Sequence, residues 1–473
     1  MSVNENVNKR ELFRALFSVT GVLIVAKIIG FLKQIITAKT FGADKETDLI
    51  SLSEGFVSNA DYAVVQTLTT AFVALYIYID QKDKEEFVSD VFNLTIVSAC
   101  SIVFVMMLLA PVISRFLAPS YNIEQSDRLA VYVRVFAPVF LMVILRAVFQ
   151  ALLNANDRYV PGEVTSLNQS IVIIILIIFT ADFFGVDTLV LASYGGSLVN
   201  LIYMGICARK YFALQKGNPL KNPKILEMLK MMIPLFLGYS MIFVNQQIDK
   251  IIVSGLETGT VTSMYYASVL SNLVCTLITS FCTVLFTRMT RDISSGGYEE
   301  AGKFAVRWGI LLFVLFAPVS VVTVICAKDI VSIAFGRGAF HEGAVNRASL
   351  ALMGYGMMFG FYAVKGLFSR LQYGNKNTKT PMINNTIGIC VNIVLSLVLS
   401  RRFGVFGVTL ASSIAEMISA VMNIRSARKQ NRYIRVNGSQ HTYFLVIIFG
   451  LAVCIFVCGI MRDLLASILT MLR

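Results

Sequence analysis

Charged side chains inside apolar stretches are the residues of this sequence that are best placed to do chemistry. A charge in the hydrocarbon region of a membrane is costly, and such residues as a rule mark a substrate or ion pathway. The stretches that are long enough to cross a membrane contain Lys27, Lys33, Asp48, Glu54, Asp61, Arg134, Arg146, Asp249, Lys250, Lys365 and Glu416. Basic side chains hold anions such as phosphate, and carboxylates hold cations. The charges therefore predict a polar, water-filled cavity with a cationic patch.

The same charges have a simpler interpretation, as internal ion pairs or as long side chains that extend to the membrane surface. That interpretation suits Arg134 and Glu416, and it also applies to Lys33. Lys27 lies near the middle of its apolar segment, between Gly21 and Gly30. We therefore expect Lys27 to line the cavity.

The sequence contains no pattern that supports catalysis. It has no G-x-x-x-x-G-K-[ST] phosphate loop. Its two histidines, His341 and His441, stand a hundred residues apart, and its eight cysteines include no C-x-x-C pair. Cysteines in apolar stretches commonly serve as small packing residues. We expect no catalytic residue, no metal site and no cofactor, and we predict that the protein is not an enzyme.

Membrane-spanning helices are the elements that must position these charges. Of the 473 residues, 56% are hydrophobic and 15% are charged, whereas soluble domains have about 45–50% and about 25%. The apolar runs are far longer than the roughly ten residues of a barrel strand. The composition predicts an all-α polytopic membrane protein. Thirteen spans are predicted, at 13–40, 48–79, 87–117, 128–154, 163–182, 186–208, 230–255, 261–287, 303–327, 345–371, 381–400, 404–425 and 442–461.

The distribution of basic residues predicts how the chain is oriented. Lys and Arg exceed Asp and Glu by 13, and they concentrate in the loops 209–229 and 426–441. The loops 183–185 and 256–260 carry neither Lys nor Arg. Because cytoplasmic loops collect Lys and Arg, the N-terminus is predicted to be cytoplasmic. The positive charge is thereby explained without a nucleic-acid partner.

The chain also repeats internally. FGVDTLVLAS at 184–193 matches FGVFGVTLAS at 403–412, and Ala-Arg-Lys at 208–210 matches the same tripeptide at 427–429, both at an offset of 219. Upstream, NANDRYVP (154–161) is similar to GNKNTKTP (374–381). Several matches at nearly one offset indicate two related halves of six helices each. Because six is even, both halves have the same orientation, and a pseudo-twofold axis is expected along the membrane normal.

The repeat predicts the domain organisation. In transporters that are built from such repeats, the substrate site lies where the halves meet. The predicted parts are a cytoplasmic N-terminus (1–12), an N-lobe of helices 1–6 (13–210), a basic linker (211–229), a C-lobe of helices 7–12 (230–429), and a last part (430–473) with a basic loop, helix 13 and a short tail.

Several motifs resemble those of the MurJ/MviN lipid II flippase family, within the multidrug/oligosaccharidyl-lipid/polysaccharide exporter superfamily. The first-helix stretch AKIIGFLKQIITAKTFGADKETD (26–48) is similar to the family's first-helix motif, and LLNANDRYVPGEVTSLNQSIVI (152–173) to its connection between helices 4 and 5. The most specific likeness is GRGAFHEGAVNRASLALMGYGM (336–357) followed by KGLFSRLQYGNKNTKTP (365–381). The resemblance covers about 13–430.

The resemblance implies two six-helix lobes around a cavity that opens alternately to each side of the bacterial cytoplasmic membrane. It implies export of an undecaprenyl-diphosphate-linked saccharide, a lipid II-like precursor of peptidoglycan. Lys27 and Lys33 match basic residues of the family's first helix, and Asp249-Lys250 and Arg370 match further charged positions.

The mechanism that we expect is alternating access. The predicted substrate-binding residues are Lys27, Lys33, Arg146, Lys250, Lys365 and Arg370, and the predicted acidic residues of the cavity or of coupling are Asp48, Glu54, Asp61 and Asp249. A monovalent cation at one of these acids, or the membrane potential, would reset the carrier; one charge moved through 100 mV is worth about 2.3 kcal/mol. Membrane lipid is the other expected partner, and the oligomeric state stays open.

Other functions of the same superfamily remain open at this point. A flippase for another lipid-linked glycan, of the capsule, O-antigen or teichoic type, is the main alternative. A drug or cation antiporter is a weaker one, because a cationic cavity suits cationic substrates poorly. A membrane scaffold without transport is weaker still.

Overall fold

The chain folds into long α-helices in a computed structural model that describes residues 25–212, 219, 222–431 and 433–434. No strand occurs within these residues. The helices are α1 (25–41), α2 (Lys45–Tyr76), α3 (Lys84–Leu117), α4 (Ile123–Ala155), α5 (Val160–Phe184), α6 (Thr188–Ala208), α7 (Pro223–Ser254), α8 (Thr260–Ser294), α9 (Tyr298–Ile325), α10 (Ala327–Phe335), α11 (Glu342–Gly356), α12 (Phe359–Gly374) and α13 (Lys379–Gln430). A short 3-10 turn, Gly185–Asp187, joins α5 to α6.

The chain divides into two compact units, Met1–Gln247 and Ile248–Arg473, and the division falls inside α7. In the first unit, α4 packs against α2, α3 and α6, and α5 packs against α6. In the second unit, α12 packs against α8, α9 and α13, and α11 packs against α8 and α13. Each unit thus has a central helix with three or more neighbours.

Polar residues fix where two helices of the first unit begin. Asp44 caps α2 by accepting a hydrogen bond from the Thr47 backbone N–H (3.0 Å), and the Thr47 hydroxyl accepts one from the Asp44 backbone N–H (2.8 Å). Asn122 and Gln125 form the same reciprocal box at the start of α4. Such boxes satisfy backbone N–H groups that have no partner within the helix. They set the starts of two of the helices that line the cavity described below.

Seven helices in the described part of the chain are long and apolar enough to cross a membrane, or eight if α11 and α12 together form one bent span. One runs over 49 residues through α5 and α6, and another, α13, over 52 residues. A helix rises about 1.5 Å per residue, so each of these two is about two and a half times as long as one crossing of a bilayer core of about 30 Å requires. The all-α, multi-pass architecture predicted from composition is confirmed.

The backbone repeats with the sequence. Gly185 between α5 and α6 has φ 54° and ψ −135°, and Gly404 within α13 has φ 56° and ψ −137°. The two positive-φ residues other than glycine in the described chain, Asp157 and Lys376, both have φ 58°. Both pairs are separated by the 219 residues found in the sequence repeat. The internal repeat is therefore structural, and each long helical run breaks at the same point of its half.

Replacing Gly404 with alanine is expected to destabilise the protein by about 1–3 kcal/mol, the cost of a residue held in a sparsely populated backbone region. A Cβ at Gly404 or at Gly185 would meet no atom within 4 Å, so the cost is conformational rather than steric. Thermal unfolding of the purified protein measures it. Gly185→Ala should lower the stability by a similar amount. Gly30→Ala, whose Cβ would meet only the Ser170 hydroxyl at 3.7 Å, should change little; equal effects at all three positions would contradict the argument.

One predicted span differs from the structure. The apolar run 345–371 was expected to form one continuous helix, but it forms α11 and α12, which meet at a 43° bend. The bend directly follows Gly356, where a Cβ would lie 2.9 Å from Thr323 Cγ2 of α9. At Gly354 a Cβ would overlap Thr409 of α13. Close packing of α11 against two neighbours therefore turns the chain where the apolar pattern continues without a break.

The segment between α9 and α11 contains the short helix α10. Phe335 at the end of α10 and Phe340 beyond it pack on Tyr266 of α8, with ring centroids 4.9 and 5.3 Å from that of the tyrosine.

The predicted cytoplasmic N-terminus (1–12), helix 13 (442–461) and the tail lie outside the described residues. The lobe boundaries 13–210 and 230–429 stay predictions.

Candidate functional site

Two predicted site residues of the first unit, Lys33 and Glu54, lie close together. Lys27 and Lys33 are six residues apart on α1; Lys27 is exposed and Lys33 is half-buried. The carboxylate of Glu54 on α2 is close enough to Lys33 to interact with its charge. Glu54 itself is exposed. The structure thus places a basic residue of α1 next to an acidic residue of α2, as the predicted polar cavity requires.

Glu54 also borders a cavity of about 310 Å³ among α2, α4, α5 and α6. Arg146 lines the same cavity, and its Nη1 donates to Gln150 Oε1 at 2.8 Å. The remaining lining residues are Val57, Ser58, Phe136, Val139, Val143, Thr165, Ser166, Gln169, Ser193, Ser197 and Asn200. Two of the predicted site residues therefore share one polar cavity within the first unit.

Glycines make room for the amide side chains of this cavity. A Cβ at Gly196 of α6 would lie 2.5 Å from the Gln169 amide of α5, and a Cβ at Gly162 would lie 3.3 Å from Gln150 Nε2. Asn200 of α6 donates to the Thr165 carbonyl at 3.0 Å and to Gln169 Oε1 at 3.2 Å. The close approach of α5 and α6 thus holds a hydrogen-bonded amide pair in an otherwise apolar helix interface.

The other predicted acidic residues of this unit have different settings. Asp48 is 2% exposed and lies in the first turn of α2, where the helix dipole favours a negative charge. That position indicates a structural contribution from Asp48. Asp61 lies within α2. The roles predicted for both residues stay predictions.

In the second unit, Asp249 lies in a buried polar cluster. Its carboxylate accepts a hydrogen bond from the Ser396 hydroxyl at 3.1 Å, and Asn392 Nδ2 lies 3.4 and 3.5 Å from its two oxygens. All three side chains are less than 9% exposed. The carboxylate, amide and hydroxyl oxygens of such a cluster are hard ligands of the kind that alkali and alkaline-earth cations prefer. Lys250, the next residue, is half-buried.

The predicted basic residues of α12 have partners inside the second unit. Lys365 Nζ lies 2.6 and 2.8 Å from the two carboxylate oxygens of Glu416 on α13. Lys365 also lies 4.9 Å from the ring centroid of Tyr362. Arg370 donates to the Thr283 hydroxyl of α8 at 3.3 Å. The expectation that Glu416 is a pairing residue is confirmed, and the substrate-binding roles of Lys365 and Arg370 stay predictions.

Sequence analysis missed the uncharged polar residues of both clusters. Asn392 and Ser396 stand four residues apart on α13, and Gly388 and Ser400 continue the same spacing in both directions. Residues four apart lie on one face of a helix. The spacing is therefore a signal that identifies the polar face of α13. Gln169 and Asn200 lack such a signal, because their partners come from different helices.

The described residues contain no group of three or more His, Cys, Asp or Glu side chains that could hold a metal ion. The positions of the charged residues are those of binding and pairing groups on packed helices.

A family model described as "Lipid II flippase MurJ" matches residues 64–471. A protein of Buchnera aphidicola subsp. Acyrthosiphon pisum, named "Probable lipid II flippase MurJ", is 25% identical over 475 residues, which cover 96% of this chain and 91% of that protein. A Borreliella burgdorferi protein of the same name is 25% identical over 404 residues, with 84% and 79% covered.

Solved structures resemble this fold over most of its length. "Lipid II flippase MurJ, inward closed conformation" matches with a TM-score of 0.78 and 21% identity, over 94% of this chain and 99% of that one. An inward-facing multidrug resistance MATE family transporter of the MOP superfamily matches with a TM-score of 0.69 and 14% identity, over 88% and 96%. At these identities, the two likenesses show a shared fold.

Proposed function

The chain belongs to the lipid II flippase MurJ family, and from that membership we propose that it moves lipid II from the cytoplasmic to the outer leaflet of the bacterial cytoplasmic membrane. The observation that carries this function is the family match over residues 64–471. It covers both compact units rather than one motif. The protein is a multi-pass membrane transporter that serves peptidoglycan synthesis, and its family is one of transporters rather than enzymes.

The headgroup diphosphate is held by basic residues of the first helix. Lys27 is exposed and Lys33 lies near Glu54, so one lysine is open to an anion and the other is partly balanced by a carboxylate. Lysine makes a point-charge contact rather than a bidentate fork. A contact of this kind lets the diphosphate leave again on the opposite side, which a carrier requires.

Translocation proceeds by alternating access of two lobes, with the division proposed above at 13–210 and 230–429. The N-terminus lies in the cytoplasm, as the basic loops 209–229 and 426–441 favour. The lipid tail stays in the bilayer while the headgroup crosses.

Asp249 couples transport to a monovalent cation. Support comes from its burial and from the Ser396 hydroxyl and the Asn392 amide group, which both donate to the carboxylate. A cation bound there offsets the free-energy cost of a buried carboxylate. Its release on one side of the membrane shifts the equilibrium between the two conformations of the carrier.

Asp249→Asn is therefore expected to remove the cation dependence of transport. Lipid II translocation in proteoliposomes is measured with and without imposed Na⁺ or pH gradients, and the wild-type rate should rise with one of them. The matched control is Asp90→Asn, because Asp90 is also a buried carboxylate (1% exposed) and pairs with Asn222 at 2.9 Å. A variant at Asp249 that responds to the gradient as the wild type does would rule out this role.

The function is tested in a bacterium that is depleted of its own lipid II flippase and expresses this chain. Growth is scored together with labelled lipid II that reaches the outer leaflet. Growth rescue with an exposed lipid II signal establishes the function. Failure of both, with the protein inserted and abundant, overturns it in favour of another undecaprenyl-linked glycan.

A further inference from the structure

The cavity of the first unit has an open mouth and a buried floor. At its mouth, Glu54, Ser58 and Ser166 are exposed. On its floor, Asn200 is 5% exposed, and the remaining floor residues are also buried: Val57, Phe136, Thr165, Ser193 and Ser197. Its volume of about 310 Å³ falls at the small end of the range for ligand pockets. A group the size of one sugar ring or a short peptide can enter it.

An unpaired acceptor lies at the floor of this pocket. Asn200 Nδ2 has two acceptors, the Thr165 carbonyl and Gln169 Oε1. Asn200 Oδ1 is buried and has no hydrogen-bond partner among the described residues. A buried polar atom without a partner is costly, so a partner that completes its hydrogen bonding stabilises the site. A ligand that donates an O–H or N–H at this point would satisfy it.

The charge of the lining argues against an anionic group. The pocket has one carboxylate, Glu54, and one guanidinium, Arg146, which is already bonded to Gln150. The lining is therefore neutral overall, and a diphosphate gains little from it. Hydroxyls and amides make up the rest of its polar surface, and Phe136, Val139 and Val143 supply an apolar side.

Hydroxyls, an amide and an apolar face are the groups that an N-acetylated sugar presents. We propose that this pocket binds a neutral sugar residue of the lipid-linked headgroup, with Asn200 Oδ1 accepting a hydrogen bond from one of its hydroxyl or amide groups. The inference rests on the proposed function, and it adds a second contact point that is separate from the lysines that hold the diphosphate. The sugar, rather than the phosphate, would then decide which undecaprenyl lipid is preferred.

The test compares two lipids on the full-length protein in nanodiscs. Lipid II carries the sugars, and undecaprenyl diphosphate lacks them. Ser58→Trp places a bulky side chain at the exposed mouth of the pocket without disturbing the buried floor. Its matched control is Ser101→Trp, because both serines are exposed on helices and donate to the carbonyl four residues earlier, at 2.7 and 2.8 Å.

We expect Ser58→Trp to weaken lipid II binding by about tenfold, the loss of one or two net hydrogen bonds, and to leave binding of undecaprenyl diphosphate within about twofold. Ser101→Trp should change neither. Ser197→Ala, a small change at the floor, should weaken lipid II binding by about threefold.

Three results overturn the inference. Equal losses for both lipids in Ser58→Trp would show a general defect, and no loss for lipid II in either pocket variant would show an unused pocket. The third is a wild-type protein that binds the two lipids equally well. A wild-type protein that binds neither lipid would overturn the proposed function itself, so the two failures are distinguishable.

Discussion

Lys27→Ala is expected to abolish growth rescue and the appearance of lipid II in the outer leaflet, while the protein still accumulates in the membrane. Lys27 is exposed on α1, so its removal leaves no cavity in a packed core and no buried partner without its charge. In the proposed function, what is lost is a contact to the diphosphate. A hydrogen bond to a charged group contributes about 1.5–3 kcal/mol, which corresponds to a decrease of about ten- to a hundredfold in transport rate.

The matched control is Lys39→Ala, because Lys39 is a second exposed lysine of the same helix. Lys39→Ala should support growth at the wild-type level. Lys27→Arg keeps the charge and should retain a large part of the activity. Normal rescue by Lys27→Ala would remove Lys27 from the substrate path and would leave Lys33 as the basic residue of α1 to be tested.

Glu416→Ala is expected to destabilise the second unit by more than about 1 kcal/mol, the limit for an exposed pair, and by at most about 3–5 kcal/mol, the effect of removing one partner of a fully buried ion pair. Glu416 and Lys365 are paired at 2.6 and 2.8 Å, and their side chains are only 24% and 18% exposed. Without Glu416, the Lys365 ammonium stays in a poorly hydrated place with no carboxylate. The double variant Lys365→Met/Glu416→Leu removes both charges and should recover most of the stability.

Unfolding of the second unit can be followed by the fluorescence of Trp308, the single tryptophan of the chain. The control pair is Lys303 and Glu299, which are also 2.6 Å apart but have side chains that are 69% and 43% exposed. Glu299→Ala should cost less than about 1 kcal/mol. A cost at Glu416 as small as that at Glu299 would contradict the buried-pair argument.

The double variant also decides between two roles for Lys365. If transport survives in a protein that lacks both charges, Lys365 contributes structure and its predicted role in binding substrate is wrong. If stability recovers and transport is lost, the lysine acts on the substrate as well as on Glu416.

Much of the fold could be predicted from the sequence, because membrane helices carry their own signal. The spans follow from apolar runs, and the predicted 128–154 and 186–208 lie within or close to α4 and α6. The repeat could be recognised from identical residues at a fixed offset, and its glycines, Gly185 and Gly404, have similar positive φ angles. The bend between α11 and α12 could not be predicted, because it results from close packing against Thr323 and Thr409, which belong to other helices.

The candidate sites were predictable in part for a similar reason. A charge inside an apolar run is visible by itself, so Asp249, Lys365 and Arg146 were found. Their partners come from helices far along the chain: Ser396 lies 147 residues after Asp249, and Glu416 lies 51 residues after Lys365. Hydroxyls and amides in apolar helices are common, and only the folded structure distinguishes those that contact a charged residue.

The equal backbone angles at Gly185 and Gly404 have a consequence for how this protein arose. A segment with an even number of crossings can be duplicated in tandem, and the new copy enters the membrane in the same direction as the old one. No inverted intermediate then has to be stabilised in the membrane. Side chains such as Arg146 and Asp249 could then diverge in separate copies, whereas both glycines are retained because a residue with a Cβ is strained at their positive φ.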